Sequence, residues 1–493
     1  MTKKYQWWKF IVLILCFFII FLVQRQNFLK PNFVDEQDNF VVAKNLINGN
    51  KIYTNIFSHH QPGTYILSGA IQKITNPNSI ETLIKRHRQF IFLWSIVWII
   101  FIVWRFGFQM IGAMMILELV KNKYLGSLFL AESLVIAPMI YLVLSFLENK
   151  STKNEPFFWG LIAGIVGITL APMWPVLALM ILTFCWRYRK KAKNIGLMIA
   201  GGFLVSAITL CFISIRGYFE NAILINQKYY ISIAGGSNLI ISTIKSLITP
   251  FFYLKDGLIL PEILLVKIFI LILFILLIFL IKEKKWQKIL WILLILSLVN
   301  LRNFELQKIY YDGFHLLIWV ALIITIPFYF FKNKWWLLGL LPMVYILFLN
   351  KESILNKPDY QQDFEIYYSR IFNISEAIRV TKNEKDNLLA MPDEVLGYWQ
   401  AEISPKGRFI FFYKWMTSVN FLKKEQLNNF ELNPEYLIIK GDEGLNLVET
   451  LKKYTNFSYR GSDGSEFFIR TDVYKNFSQE KIERLKYYGL EAI

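Results

Sequence analysis

Apolar residues gather into long blocks along the first 350 positions, among them 10–23, 259–281 and 314–331. Such blocks suit helices that cross a bilayer, because about 20 apolar residues span its hydrocarbon core. A helix also satisfies its backbone polar groups within its own segment, as lipid requires. Read block by block, the chain predicts about eleven spans, near 7–23, 89–105, 106–120, 125–147, 156–171, 173–186, 195–214, 258–281, 287–300, 314–331 and 334–350. Basic residues orient them. Lys3, Lys4, Lys9, Lys150, Lys153, the 187–193 cluster, 282–288, Lys332 and Lys334 fall on one side, which the positive-inside tendency makes cytoplasmic. Lys121 and Lys123 fall on the other side, against that tendency. Four segments then face outward: 24–88, 216–257, 301–313 and the tail from 351.

The polar segments carry patterns of their own. In the first outward loop, Phe40-Val41-Val42-Ala43 with Leu46-Ile47 has helical periodicity and stops at Asn48-Gly49-Asn50. Pro62 opens a second helix, whose Ile66, Leu67, Ala70, Ile71 and Ile74 share a face. Two short amphipathic helices so placed are expected to lie in the membrane interface. In the tail, 363–380, 425–430, 444–454 and 475–490 predict helices, while 396–400, 408–413, 436–439 and 466–470 predict strands between turn residues. The architecture expected is a polytopic α-helical membrane domain, 1–350, with its first extracytoplasmic loop at 24–88. A small soluble extracytoplasmic α/β domain, 351–493, follows it.

Composition sharpens this picture. Of 493 residues, 55% are hydrophobic and only 18% charged, less charge than a soluble chain of this length carries. The net charge of +18 does not mark a nucleic-acid partner. Residues 351–493 hold 20 basic against 22 acidic side chains, so the excess is interleaved with the spans and reads as topology. Cys16, Cys185 and Cys211 lie inside apolar blocks and imply no disulfide. The basic start at 3–23 lacks a small-x-small cleavage site and reads as a retained anchor.

Chemistry concentrates just outside the first span, where Asp35, Glu36 and Asp38 place three acids within four residues. One carboxylate can take a proton from an incoming hydroxyl, and a second can orient an acceptor or hold a cation. Equally, Asp35 can cap the following helix, with Asp38 in its first turn. His59 and His60 precede Pro62-Gly63, either as ligands or as loop residues packed before a helix. Arg86 and Arg88 near the second span, and Arg302 with His315 near a later one, set cations on the outward side. They suit a lipid-linked phosphate or snorkelling at the interface. Glu118 and Glu132 lie near span ends. No GxxxxGK[ST], GxSxG, HExxH or CxxC motif occurs.

The ordered run Phe33-Val34-Asp35-Glu36, Ala43-Lys44-Asn45-Leu46, Gly49, Tyr53, then Phe57-Ser58-His59-His60-Gln61-Pro62-Gly63-Thr64-Tyr65 resembles the first extracytoplasmic loop of the GT-C membrane glycosyltransferases. The bacterial branch related to protein O-mannosyltransferases and aminoarabinose transferases is the one it resembles. That resemblance implies an inverting transfer, at the outer face of the plasma membrane, from a polyprenyl-phosphate sugar to a glycan, lipid or protein. Asp35 would be the general base and Glu36 its partner. His59, His60 and His315 would bind substrate, and Arg86, Arg88 and Arg302 would attend the donor phosphate. No cofactor is firmly required, and a divalent metal is left open. Asn55 stands where many relatives have Asp, and Gln61 where they have a second Pro. The alternative is a transporter or flippase of lipid-linked sugars, although the inverted repeats and midplane polar residues of carriers are not evident.

Overall fold

The computed structural model describes residues 7–148, 154–225, 244, 261–301, 313–331, 344, 348, 356–441, 443–461 and 466–493. Contacts divide the chain into two units, each assembled from separated stretches. The first comprises Met1–Phe28, Arg88–Thr209 and Gly235–Pro358, and the second Leu29–His87, Leu210–Ala234 and Asp359–Ile493.

The first unit is helical. Helices α1 (Trp7–Gln24), α4 (Ile80–Phe106, from Arg88 onward), α5 (Met110–Val120), α6 (Ala131–Glu148), α7 (Glu155–Thr169), α8 (Trp174–Arg187) and α9 (Ala192–Leu210) are followed by Pro261–Lys282, Trp286–Val299 and Leu317–Phe330. Helices therefore stand at the first ten of the eleven expected positions, while the eleventh, 334–350, lies almost wholly outside the described residues. Only five described helices are long and apolar enough to cross a membrane: those starting at Trp7, Ile80, Ala131, Ala192 and Glu262. The shortfall has a physical reason. Helix α5 has 11 residues and rises only about 16 Å, and every one of them is buried in the protein.

Its charges are paired inside. Lys121, one of the two lysines that run against the topology rule, is 2% exposed and meets Glu118 at 2.6 Å and Ser95 Oγ at 2.8 Å. It is an ion-pair member rather than a loop charge, so it drops out of the positive-inside count. Arg105 Nη2 joins Glu148 and Glu155, both at 2.7 Å, linking α4, α6 and α7. Helices α7 and α9 touch backbone to backbone at glycines, as membrane helices with small residues do. A Cβ on Gly160 would stand 1.9 Å from the Met198 carbonyl oxygen, and one on Gly201 2.2 Å from that of Phe157.

In the second unit, described parts of all three long segments expected to face outward fold together. Both loop helices form: α2 (Val34–Ile47) ends before Gly49, whose φ of +88° needs glycine, and α3 (Gly63–Thr75) follows Pro62. Helix α2 is not laid on a surface. Glu36 through Ala43 are all buried, because α3 and Leu396–Gln400 pack against it. The Gln72 side chain ties these pieces, donating to the Phe40 carbonyl at 2.9 Å and accepting from Trp399 Nε1 at 3.0 Å.

The tail contributes a five-stranded sheet of order β1-β2-β4-β3-β5. Its strands are β1 (Leu388–Met391), β2 (Tyr436–Ile439), β3 (Tyr454–Tyr459), β4 (Phe467–Arg470) and β5 (Leu490–Ala492). β1 and β2 run parallel and the other pairs antiparallel. Two expected strands are corrected. Leu396–Gln400 is a helix, and 408–413 is irregular chain. Part of 444–454 becomes the short helix Val448–Leu451, followed by β3.

Candidate active site

Helix α2 starts one residue before the acids. Its N-cap is Phe33, extended at φ −142°, ψ 128°, so Asp35 lies in the first turn and does not cap. A carboxylate there still faces the positive end of the helix dipole. Asp35 and Asp38 are three residues apart and share a face. Glu36 is one position round the helix and 1% exposed.

His60 comes to that face from the turn before α3, and its backbone is held at both ends. Its amide N–H donates to Ser58 Oγ at 3.1 Å, and its carbonyl accepts from the Tyr53 hydroxyl at 2.7 Å. Ser58 in turn pairs with Tyr65 at 2.6 Å. Tyr53 sits at φ +71°, braced by Asn221, whose Nδ2 donates to its carbonyl at 3.1 Å. The result is a group in which one ligand atom each from Asp35, Asp38 and His60 lies within 4.8 Å of the others.

The tail closes over this group. Phe57 N–H donates to the Arg408 carbonyl at 2.8 Å, and the Phe412 amide donates to the Pro392 carbonyl at 3.0 Å. Arg408 is fixed by both carboxylate oxygens of Glu425, at 2.6 and 2.8 Å. From the segment so held, the Tyr413 hydroxyl reaches Asp38 Oδ2 at 3.5 Å. Asp38 is 1% exposed, and its Oδ1 has no hydrogen-bond partner among the described residues. Burial holds its carboxyl well above the ordinary range, with Asp35 and then Asp393 adding to the rise and Tyr413 opposing it. Burial and the same three acids raise the Tyr413 hydroxyl.

His59 packs among rings. Its ring lies 5.7 Å from Phe411, 5.3 Å from Trp415 and 4.0 Å from His60. Burial, and then His60, hold it well below the usual imidazole value, so it packs as a neutral ring. The expected phosphate ligands, and His315, stand in different settings. Arg86 is exposed on α4 in the second unit. Arg88, in the first unit, is 2% exposed and donates from Nη1 to the Asn27 carbonyl at 3.0 Å. His315 is half-buried on the turn Gly313–Leu316, its ring 4.0 Å from Phe314. Arg302 lies outside the described residues.

Two carboxylates and an imidazole form a donor set of the kind that takes a divalent cation. The orphaned buried oxygen of Asp38 fits that use, because an unpaired buried charge is costly. The sequence reading set Asp38 among the three acids of the loop and the resemblance gave the partner role to Glu36; the structure groups Asp38, three residues on from Asp35, with Asp35 and His60. Sequence reasoning missed Tyr413 and Asp393, for which the sequence offered no signal.

No family model matches the sequence, and no curated protein matches it. Two solved structures resemble it in chain path. One is the archaeal oligosaccharyltransferase AglB from Archaeoglobus fulgidus in complex with an inhibitory peptide and a dolichol-phosphate. It has 12% identity and a TM-score of 0.44 over 97% of this chain and 76% of that one. The other is the Archaeoglobus fulgidus oligosaccharyltransferase tethered by a disulfide bond to an acceptor peptide containing the NVT sequon. There the identity is 12% and the TM-score 0.43, over 95% of this chain and 74% of that one.

Proposed function

We propose that this protein is a membrane glycosyltransferase that moves a sugar from a polyprenyl-phosphate donor to a hydroxyl of a glycan, lipid or protein, at the outer face of the plasma membrane. The carrying observation is the group formed by Asp35, Asp38 and His60, with its buried, unpartnered carboxylate oxygen. The sequence pattern of the first loop supports the same reading, as do the apolar helices of the first unit.

In the reaction, the acceptor oxygen forms a bond to the anomeric carbon as the bond from that carbon to the phosphate oxygen breaks. The electron pair leaves with the polyprenyl phosphate, and inversion follows from attack opposite the leaving group. The acceptor proton passes to Asp35, since a hydroxyl of high pKa becomes nucleophilic only as a positioned base removes its proton. Asp38 and His60 hold that carboxylate and the acceptor in register. A divalent cation held by Asp35, Asp38 and His60 would offset their negative charge and polarise the acceptor oxygen. Of the arginines that the first-loop resemblance implies for the donor phosphate, where negative charge develops, Arg86 is the described one that is exposed.

The test is transfer of radiolabelled sugar from polyprenyl phosphate to an envelope glycan extract by the purified full-length protein. Asp35→Asn is expected to lower kcat by about 10²–10⁴-fold. Undiminished transfer would remove Asp35 as the base. Absence of transfer by the wild type, with labelled lipid crossing vesicles instead, would favour a carrier.

A further inference from the structure

A third carboxylate, from the tail, lies near enough to the acid face of α2 to act on Asp38 electrostatically. Asp393 lies in the loop directly after β1, the strand that runs parallel to β2. Asp393 is half-buried, and its Oδ1 has no hydrogen-bond partner among the described residues. Its neighbour Pro392 accepts from the Phe412 amide at 3.0 Å, which sets this loop beside the segment whose Tyr413 reaches Asp38. Its charge adds to the rise in both Asp38 and Tyr413. The neighbouring acid, Glu394, is committed elsewhere: it pairs with Arg370 and, at 3.7 Å, with Lys440. Two acids in one dipeptide thus have different situations, one neutralised in an ion-pair cluster and one with an oxygen to spare.

Resting on the glycosyltransferase reading above, we propose that Asp393 binds the acceptor, taking hydrogen bonds from its hydroxyl groups and holding it against Asp35. The cation-capable group does not include Asp393, whose oxygens lie outside the 4.8 Å cluster of Asp35, Asp38 and His60. A carboxylate has only acceptor atoms, so its complement on the ligand is a donor, which the acceptor hydroxyls supply. Among the described residues no protein group donates to Asp393 Oδ1, so the acceptor hydroxyls meet an oxygen with no competing donor there. The tail therefore selects the acceptor, and the first loop performs the proton transfer.

The experiment uses the full-length protein, radiolabelled polyprenyl-phosphate sugar and graded amounts of envelope glycan extract. Asp393→Asn keeps the shape of the side chain, and Asp393→Glu restores its charge. The expected result for Asp393→Asn is a rise of about 10-fold to 100-fold in the acceptor KM, the loss of one charge-assisted hydrogen bond. The kcat stays within a few-fold, the donor KM is unchanged, and Asp393→Glu recovers part of the loss. An unchanged acceptor KM overturns the assignment. So does a loss of Mn²⁺ binding by calorimetry, which would make Asp393 a cation ligand. If Asp35→Asn is inactive while Asp393→Asn matches the wild type, only this inference fails. If the wild type transfers nothing, both fail.

Discussion

At the scale of single residues, Asp38 is the least comfortable group in the site. It is buried, feels the charges of Asp35 and Asp393, and receives a long contact from Tyr413. Its folded-state affinity for a proton is therefore raised above that of the unfolded chain. The folded state binds more protons between those two values, so stability falls as pH rises through that window. Below the unfolded carboxylate value, about 3.9, the carboxyl is protonated in both states and the penalty vanishes. In chelator, Asp38→Asn is therefore expected to melt higher than the wild type at neutral pH, and the difference should close toward pH 4. Thermal unfolding at both pH values checks this. With Mn²⁺ added the order should reverse, because a bound cation stabilises only the protein that retains its ligands. A wild type that melts above Asp38→Asn in chelator at neutral pH would show that the buried carboxylate is satisfied by some other group.

At the scale of elements, the tightest constraint is the α7–α9 crossing. There the substituted Cβ would meet backbone oxygens, which unlike a side-chain tip cannot rotate away. Gly201→Ala is expected to cost about 1–3 kcal/mol, the range for overpacking, and Gly160→Ala a similar amount. Gly196→Ala meets nothing within 4 Å and should be neutral or slightly stabilising. Detergent melting curves of the three variants would separate these outcomes. The same scale shows what the sequence makes legible. Apolar periodicity located ten helices, and the punctuation of Gly49 and Pro62 located the ends of α2 and α3, because these are local signals. It misread 396–400 as a strand because Leu-Gly-Tyr-Trp-Gln is rich in strand formers, whereas packing against α2 and Ser369–Thr381 makes it helical. It missed β1, and with β1 the loop that carries Asp393. The site was half legible for the same reason. Asp35 and His60 belong to one contiguous loop, whereas Tyr413 and Asp393 arrive only through contacts more than 350 residues away in sequence.

At the scale of the molecule, the second unit is one folded body built from three segments that hydropathy assigned to one side of a membrane. Its joints are specific. Lys30 meets Asp363 at 2.8 Å, Tyr368 donates to the Pro31 carbonyl at 3.1 Å, and Arg408 Nη1 donates to Asn221 Oδ1 at 3.4 Å. Segments that pack in this way must share a compartment, whatever the span count between them. Reporter fusions after residues 60 and 400 are therefore expected on the same side, and single cysteines at Lys51 and Lys414, in a background lacking the native cysteines, should react together with an impermeant maleimide in intact cells. Fusions on opposite sides would mean that an odd number of spans separates the two segments and that the acid face cannot be assembled. The joints also make the tail structural for the loop. Trypsin should cut the first loop readily at Lys51 only when Arg408→Ala has loosened the segment whose backbone carbonyl accepts from the amide of Phe57. A wild type cut at the same rate would show that the loop holds its shape without the tail, and that the acid group is a property of the loop alone.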